Sequence, residues 1–513
     1  MPALNRNASA WLLERKCPDA VALWTLNGSW DYSRLTALVH GSIDALAERS
    51  VRPGERVLLA AENGPFWVAA YLATLHAGCV CVPVAPGVRP EDLKTIVESV
   101  EPACVFAGDS FAARHRKNLE GYPLIGPGDV RSNPASLPEP AGGGSDLAAL
   151  MFTSGSTGTP RGVMISHANI IANTDAIVSY LRLTAIERIL TVLPFHYCFG
   201  TSLLHTHLRV CASLVIEPRF MYPELVLRRM IETQCTGFAG VPSHFQILLR
   251  RSSLRMKQFP HLRYIQQAGG HLAPALIREL RTALPGVDFY VMYGQTEATA
   301  RLSYLPPALL NLKPDSIGRG IPGVRLAVLN AAGQSVQPGE VGELVADGAN
   351  VALGYWKAPV ETATTFRDGR LYTGDLATLD GDGFVYVVGR AKDFLKCGGK
   401  RVACRQIEDW VMSCEDVLEV AAVGVQDEIL GEAVRIFVVP KSDNAVDLPR
   451  RLQRHCRANM PLEFVPRDIV VVRALPKNDS GKVLKETLRS MYSSSATPDA
   501  AGRLESSSVS PGV

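Results

Sequence analysis

No two cysteines of this chain are spaced Cys-x-x-Cys, so neither a zinc ribbon nor a thioredoxin-type redox motif is encoded. The 11 cysteines are scattered, and Cys79 and Cys81 share one apolar run, where they read as packing residues. A reducing, cytoplasmic setting is the expectation. Charge of one sign is also scarce. The formal net charge is +3, too small for a nucleic-acid binder. Nothing has the spacing of a Walker A loop, in which Gly and four residues precede Gly-Lys-Ser/Thr. Met1 to Lys16 carries Arg6, Glu14 and Arg15 without a long apolar core and is not expected to be a secretory signal. One stretch, Phe66 to Pro86, is almost wholly apolar, but His76, Gly78 and two prolines interrupt it and basic flanks are missing. It reads as a buried helix (Phe66 to Ala77) and a buried strand (Val80 to Val84), and no membrane span is expected.

What is present is an ordinary globular composition, 47% hydrophobic and 20% charged, over 513 residues, enough for two or three domains. Helical spacing from Leu35 to Arg49 and Glu91 to Ser99 alternates with strand-like runs at Arg56 to Ala60 and Ala103 to Ala107. Such alternation predicts an α/β layer fold with a largely parallel sheet. Gly126 to Asp146, rich in Pro, Gly and Ser, reads as a surface loop. It delivers the chain to an apolar strand at Leu147 to Leu150 and then to the densest cluster of chemistry in the sequence.

That cluster is Thr153-Ser154-Gly155-Ser156-Thr157-Gly158-Thr159-Pro160-Arg161-Gly162. Glycines let a backbone turn tightly and aim its N–H groups at an anion. Hydroxyls add donors, and Arg161 adds a permanent charge shaped for phosphate oxygens. A second strand follows, then a helix capped near Ser166. The loop resembles the signature loop of the adenylate-forming (ANL) superfamily, which holds acyl-CoA synthetases, adenylation domains of peptide synthetases and luciferases. The usual loop ends Pro-Lys-Gly; Pro-Arg-Gly keeps the charge.

The resemblance continues in order from about residue 10 to 490. Tyr293-Gly294-Gln295-Thr296-Glu297 matches the superfamily's Tyr-Gly-x-Thr-Glu motif. It implies that Tyr293 stacks on adenine, Thr296 donates to the α-phosphate and Glu297 supplies a hard oxygen to Mg²⁺. Gln266 to His271 follows a strand at Leu262 to Ile265. Gly269 and Gly270 there would let the flat adenine lie on the backbone and pass the acyl group, with His271 a further candidate. In Leu371-Tyr372-Thr373-Gly374-Asp375, read as a turn, Asp375 would accept the ribose hydroxyls. Gly389-Arg390-Ala391-Lys392-Asp393 resembles the family hinge, with the pivot at Lys392 and Arg390 reaching ribose or phosphate. Gly398 and Gly399 sit in a basic loop that would enter the site in the thiol stage. Pro476-Lys477-Asn478-Asp479-Ser480-Gly481-Lys482 matches the motif whose last lysine is catalytic, which assigns Lys482. Gly342 to Leu344 and Gly354-Tyr355-Trp356 read as a hairpin-rich structural sheet.

For the acyl pocket the matching segment is Leu193-Pro194-Phe195-His196-Tyr197-Cys198. Tyr197 is the first choice as aromatic wall, with His196 kept beside it. His244 and Phe245 open a helix that would face the same pocket, and Ser243 is a cap or a contact. Adenylation domains for α-amino acids carry an aspartate where this chain has Cys198, and an unpaired ammonium in an apolar pocket is costly. An ordinary α-amino acid is therefore not the expected substrate. No cation stands out in the sequence as a mark for a dicarboxylic acid. Aryl and aliphatic acids both remain.

The resemblance implies a large α/β N-terminal domain at 1–391, with two sheets and a distorted β-barrel. A small mobile α+β domain follows at 392–490, and then a disordered tail at 491–513. It implies ATP-dependent conversion of a carboxylic acid to an acyl-adenylate, then a thioester with coenzyme A. The catalytic set would be Thr153, Arg161, Glu297 and Lys482. The nucleotide would be held by Ser154, Gly155, Ser156, Thr157, Gly158, Gly269, Gly270, Tyr293, Gly294, Thr296, Asp375 and Arg390. A carrier-protein phosphopantetheine is the alternative acceptor, and a non-catalytic nucleotide-binding protein the second alternative. Neither nucleic acid nor membrane is an expected partner, and the sequence leaves the oligomeric state open.

Overall fold

A computed structural model describes residues 5–15, 17–154, 160–390, 393–397, 399–427, 431–441, 447–477 and 483–492. The described residues form two compact units, one ending at 390 and one starting at 393. The elements that carry the candidate site are, in chain order, strands β1 (Leu147–Ser154) and β2 (Pro160–Ser166), helices α1 (His167–Leu181) and α2 (Cys198–Arg209), strand β3 (Gly237–Gly240), helix α3 (Pro242–Arg251), and strands β4 (Tyr264–Gln267), β5 (Asp288–Tyr293), β6 (Gly354–Tyr355), β7 (Arg370–Leu379) and β8 (Val385–Arg390).

The large unit has three sheets. One has seven strands in the order β6, β2, β1, Val80–Pro83, Arg56–Ala60, Cys104–Ala107, Leu124–Ile125. From β1 to Leu124–Ile125 neighbours run parallel, whereas β1, β2 and β6 are antiparallel. The apolar stretch singled out above supplies the helix Pro65–His76 and the strand Val80–Pro83, both buried, at the centre of this layer. Pro65 opens the helix where its missing N–H costs nothing. Its Trp67, Val68, Tyr71, Leu72 and Leu75 are almost completely buried, each contributing about 1.5–3 kcal/mol. No described helix is long and apolar enough to cross a membrane.

The second sheet has nine strands, with β5, β4, β3 and Arg188–Thr191 adjacent and parallel at its centre. Alternation along these strands separates two layers. Phe238, Ile265 and Phe289 share one face; Ala239, Gln266 and Tyr290 share the other. The third sheet is antiparallel and five-stranded, with Val324–Leu329, Gly342–Gly348, β7, β8 and Phe366–Arg367. The fold is thus the expected mixed α/β arrangement; the described strands of the third sheet are an antiparallel sheet, with no barrel closure to report.

Two expectations change. Gly354-Tyr355 does not belong to a hairpin: β6 adds to the edge of the seven-stranded sheet, pairing with Val163 and Met164 of β2. Asp375 is not at a turn but inside the ten-residue β7, beside an irregularity in its pairing with β8. A third finding bears on the thiols. Cys17 and Cys211, 194 residues apart, form a disulfide, with Cα atoms 6.3 Å apart. The other nine cysteines are thiols and all but Cys414 are buried.

The small unit contains an antiparallel core of Val417–Asp427 and Gly431–Pro440, extended by Phe394–Cys397, Lys400–Ala403 and Asp468–Val471. Its helices are Cys404–Met412 and Leu448–Asn459.

Candidate active site

The phosphate-type loop hangs between β1 and β2. Thr153 is opposite Arg161 and Ser154 opposite Pro160, so the ladder runs to the base of the loop. Gly155, Ser156, Thr157 and Gly158 lie outside the described residues, and for Ser154 only the backbone is described. Beyond β2, Ser166 caps α1 as expected, and it does so reciprocally with Asn169 in a capping box. The Trp356 amide donates to Gly162 O at 2.8 Å, so β6 braces the far side of the hairpin.

Arg161 leaves this hairpin toward an acidic and aromatic group. Its guanidinium is 5.9 Å from the Tyr355 ring centre and 3.9 Å from Glu361. The Tyr355 hydroxyl donates to Glu297 Oε1 at 2.9 Å. Burial first, and then the neighbouring Glu297, push the Tyr355 phenol well up, so it stays a donor. Glu297 sits on the single turn Thr296–Ala298 and is partly exposed. A hard carboxylate oxygen held in place by a neutral donor suits Mg²⁺, which keeps waters and takes one or two carboxylates.

Two more contacts start from the same short run. The Tyr293 hydroxyl donates to Asp375 Oδ2 at 2.5 Å, and Arg390 Nε donates to Oδ1 at 3.0 Å. Asp375 is 8% exposed, so both oxygens have donors that offset its desolvation. The Tyr293 phenol is driven far up, first by burial and then by Asp375. Thr296 Oγ1 donates to Cys198 Sγ at 3.4 Å, and burial raises the Cys198 thiol to about 11. The backbone turn that makes this possible needs Gly294: a Cβ there would lie 1.9 Å from Ala300 O. Tyr293 to Glu297 is therefore a hub, with one arm to Asp375, one to Cys198 and one to Tyr355.

Tyr197 is the N-cap residue of α2, and its hydroxyl comes within 3.4 Å of where a Gly269 Cβ would be. Gly269 has φ +84° and such a Cβ would also press on Val241 at 2.9 Å, so only glycine fits. Gly270 follows, its carbonyl accepting from Gln267 Nε2 at 2.8 Å. His196 precedes Tyr197, and burial lowers its imidazole to about 4. His244 packs at a tilt against Phe220, ring centres 4.3 Å apart, and its Nδ1 accepts the Val241 amide. Phe245 does not join the pocket residues. It is 1% exposed and packs edge-on against Phe238 and Phe289, a core position on the sheet face away from Gln266. His271 stands beside Asp315, with Nδ1 3.5 Å from Oδ1. Lys392, Gly398 and Lys482 lie outside the described residues. Gly399 turns between Phe394–Cys397 and Lys400–Ala403, and Lys477, tied to Glu419 at 2.8 Å, bridges Val483 across the segment that holds Lys482.

Sequence inspection missed Tyr355 and Arg301. Tyr355 was visible only inside a Gly-Tyr-Trp run that reads as structural. Arg301 is a lone cation in the run Ala298-Thr299-Ala300-Arg301-Leu302, and in the fold it is 1% exposed.

The sequence profile of the AMP-binding enzyme family matches residues 10–356, and that of the AMP-binding enzyme C-terminal domain matches 406–482. A feruloyl-CoA synthase from Amycolatopsis sp is 30% identical over 502 residues, covering 95% of this chain and 99% of that protein. Among solved structures, an anthranilate CoA ligase in complex with anthranoyl-AMP superposes with a TM-score of 0.87 at 25% identity, over 95% of this chain and 97% of that one. ATP-bound MatB from Rhodopseudomonas palustris gives 0.86 at 29% identity, over 96% and 99%.

Proposed function

Since the chain belongs to the AMP-binding enzyme family of adenylate-forming proteins, we propose that it is an acyl-CoA synthetase, joining a carboxylic acid to coenzyme A with ATP cleaved to AMP and pyrophosphate. The observation that carries this is the three-armed hub. One five-residue run contacts a ribose-type carboxylate (Asp375), an acyl-side thiol (Cys198) and the Tyr355 that steadies a metal-type carboxylate (Glu297). A protein that only bound nucleotide would not need all three arms.

In the first step the acid's carboxylate attacks the α-phosphate and pyrophosphate leaves. Arg161 and the loop amides hold the β- and γ-phosphates, and Thr153 and Thr296 donate to the phosphate oxygens. Glu297 would hold Mg²⁺, which neutralises phosphate charge. Tyr293, Gly294, Gly269 and Gly270 frame the adenine, and Asp375 with Arg390 meets the ribose. Tyr197, His196 and His244 line the acyl side. Lys482 bridges the attacking carboxylate and the α-phosphate, where charge develops. Positioning and electrostatics supply most of the acceleration. For the second step the domain at 392–490 turns about Lys392, replacing Lys482 with the Gly398–Gly399 loop, and the thiol attacks the acyl carbon to release AMP. Nine thiols fit a cytoplasmic enzyme, whereas the Cys17–Cys211 disulfide is of a kind rare in that compartment.

The test is ATP–pyrophosphate exchange against aryl, aliphatic, dicarboxylic and amino acids, followed by thioester formation with coenzyme A or a phosphopantetheinylated carrier. Exchange with one acid class and a coenzyme A thioester are expected. Nucleotide binding without exchange for any acid would refute the assignment.

A further inference from the structure

Among the described residues Arg301 is a buried cation without a counter-ion. It is 1% exposed, and its Nε and Nη2 have no hydrogen-bond partner among the described residues. No described carboxylate pairs with it. Its guanidinium carbon lies 4.6 Å from the Phe199 ring centre, a contact that offsets part of the desolvation but directs no hydrogen bond. A guanidinium buried without an anion is strongly destabilising.

A second orphan lies on the same side of the nine-stranded sheet. Gln266 is 1% exposed, and neither its Nε2 nor its Oε1 has a partner among the described residues. Its register places it between Ala239 and Tyr290. The helix α2 runs antiparallel over β4: Tyr197 at its start meets Gly269, and His207 near its end meets the Tyr264 hydroxyl at 3.3 Å. Gln266 thus lies between these two contacts, beneath the middle of α2, deeper than Tyr197. Arg301 reaches the same layer, over Phe199 of α2; it hydrogen-bonds and acts by its charge on Tyr180, and its charge also acts on Tyr197 and Cys198. Tyr180 donates to Met292 Sδ at 3.0 Å, and Met292 lies on the Gln266 face of β5. Two side chains with unpartnered polar atoms therefore reach the layer behind the acyl-side wall, one cationic and one able to donate and accept.

We infer that the acid carries a second carboxylate at its far end, with Arg301 as its counter-ion and Gln266 donating to its other oxygen, so that the enzyme activates dicarboxylic acids. A guanidinium and an amide satisfy a carboxylate's two oxygens, and the bound anion cancels the buried charge. A plain hydrocarbon tail would leave both groups unpaired, and sites built for a polar group reject analogues lacking it by orders of magnitude. This deepens the acyl-CoA synthetase assignment and rests on it.

The experiment compares kcat/KM for pyrophosphate exchange with aliphatic and aryl dicarboxylates, matched monocarboxylates, and hydroxy or oxo acids of equal length. The wild type should favour at least one dicarboxylate over its monocarboxylate by about 100-fold or more. Arg301→Met should abolish that preference while keeping monocarboxylate turnover, Arg301→Lys should restore part of it, and Gln266→Leu should lower it roughly tenfold. If Arg301→Met does not fold, Gln266→Leu decides. Three results would overturn the inference while leaving the acyl-CoA synthetase assignment intact: monocarboxylates turned over as well as every dicarboxylate, hydroxy or oxo acids preferred, or variants lowering all acids alike. Absence of exchange with any acid would overturn both.

Discussion

Lowering the pH from 7.5 to 5.5 should destabilise the large unit steeply, because buried histidines are held neutral, and three of them show why. His167 and His207 are fully buried and His205 is 4% exposed. Burial lowers them to about 4, 4 and 3 respectively. The geometry explains the cost of a proton. His167 Nδ1 accepts the Ala8 amide at 3.0 Å, so protonation there breaks that bond. His205 Nε2 shares a hydrogen bond with the Tyr71 hydroxyl at 2.8 Å, and His207 Nδ1 faces Leu203 O at 2.8 Å. The folded values lie below the unfolded value of about 6.5, so the unfolded chain takes up protons first as pH falls. Stability is therefore full above about pH 6.5 and is lost as the pH falls toward the folded values. Each histidine contributes about 1.4 kcal/mol per pH unit in that window, so three give about 4 kcal/mol between pH 7.5 and 5.5. That is a large share of a typical total of 5–15 kcal/mol. Urea unfolding followed by tryptophan fluorescence at pH 7.5, 6.5 and 5.5 measures it. In His167→Asn the amide oxygen still accepts from Ala8, and the stability lost over that range should shrink by about 1.4 kcal/mol. A flat profile in the wild type, or an unchanged slope in the variant, would refute the reasoning.

Lys482→Ala should slow pyrophosphate exchange by roughly 10²–10³-fold, the scale of one oriented transition-state group, with ATP binding little changed; unchanged exchange would remove Lys482 from the mechanism. Tyr355→Phe should raise the Mg²⁺ concentration for half-maximal exchange roughly tenfold, since one hydrogen bond to an ionised partner is lost. Glu297→Gln should cost far more, and equal effects would break the link between the two residues. Peptide mapping without reductant should find Cys17 joined to Cys211 and the other nine cysteines as thiols; a different pairing would contradict the fold at the start of the chain.

How much of this was legible beforehand varied with the range of the interactions. Local signals carried well. The helix Tyr32–Glu48 and the strands at Arg56–Ala60 and Cys104–Ala107 follow directly from apolar periodicity, and the cap at Ser166 from its own side chain. Pairings between distant segments did not. Gly354-Tyr355 has no local feature to say that it completes the sheet of the phosphate-type loop instead of a hairpin, because edge addition depends on which strand offers unpaired groups. Asp375 looked like a turn residue because Gly374 precedes it, yet the irregular pairing of β7 with Gly342–Gly348 accommodates that glycine. Phe245 was legible as the first turn of a helix but not as the face of it that meets Phe238 and Phe289. Arg301 had the opposite problem: arginine is so seldom buried that sequence inspection leaves it on the surface. Cys17 and Cys211 could not be paired from composition, since scattered cysteines carry no partner information.

The brace on the phosphate-type loop has a consequence for how the enzyme is born. The hairpin from Leu147 to Ser166 leaves the ribosome early, but Tyr355, which orients Glu297, and Trp356, which fastens Gly162, belong to codons roughly 200 residues downstream. At about 5–20 residues per second this interval lasts roughly 10–40 s. Through that time the β2 edge is an open strand with no β6 beside it, a template on which a neighbouring nascent chain could pair. Slow decoding between the two segments would lengthen that exposure, so the yield of folded enzyme should depend on translation speed in the middle of the message as well as on the finished sequence.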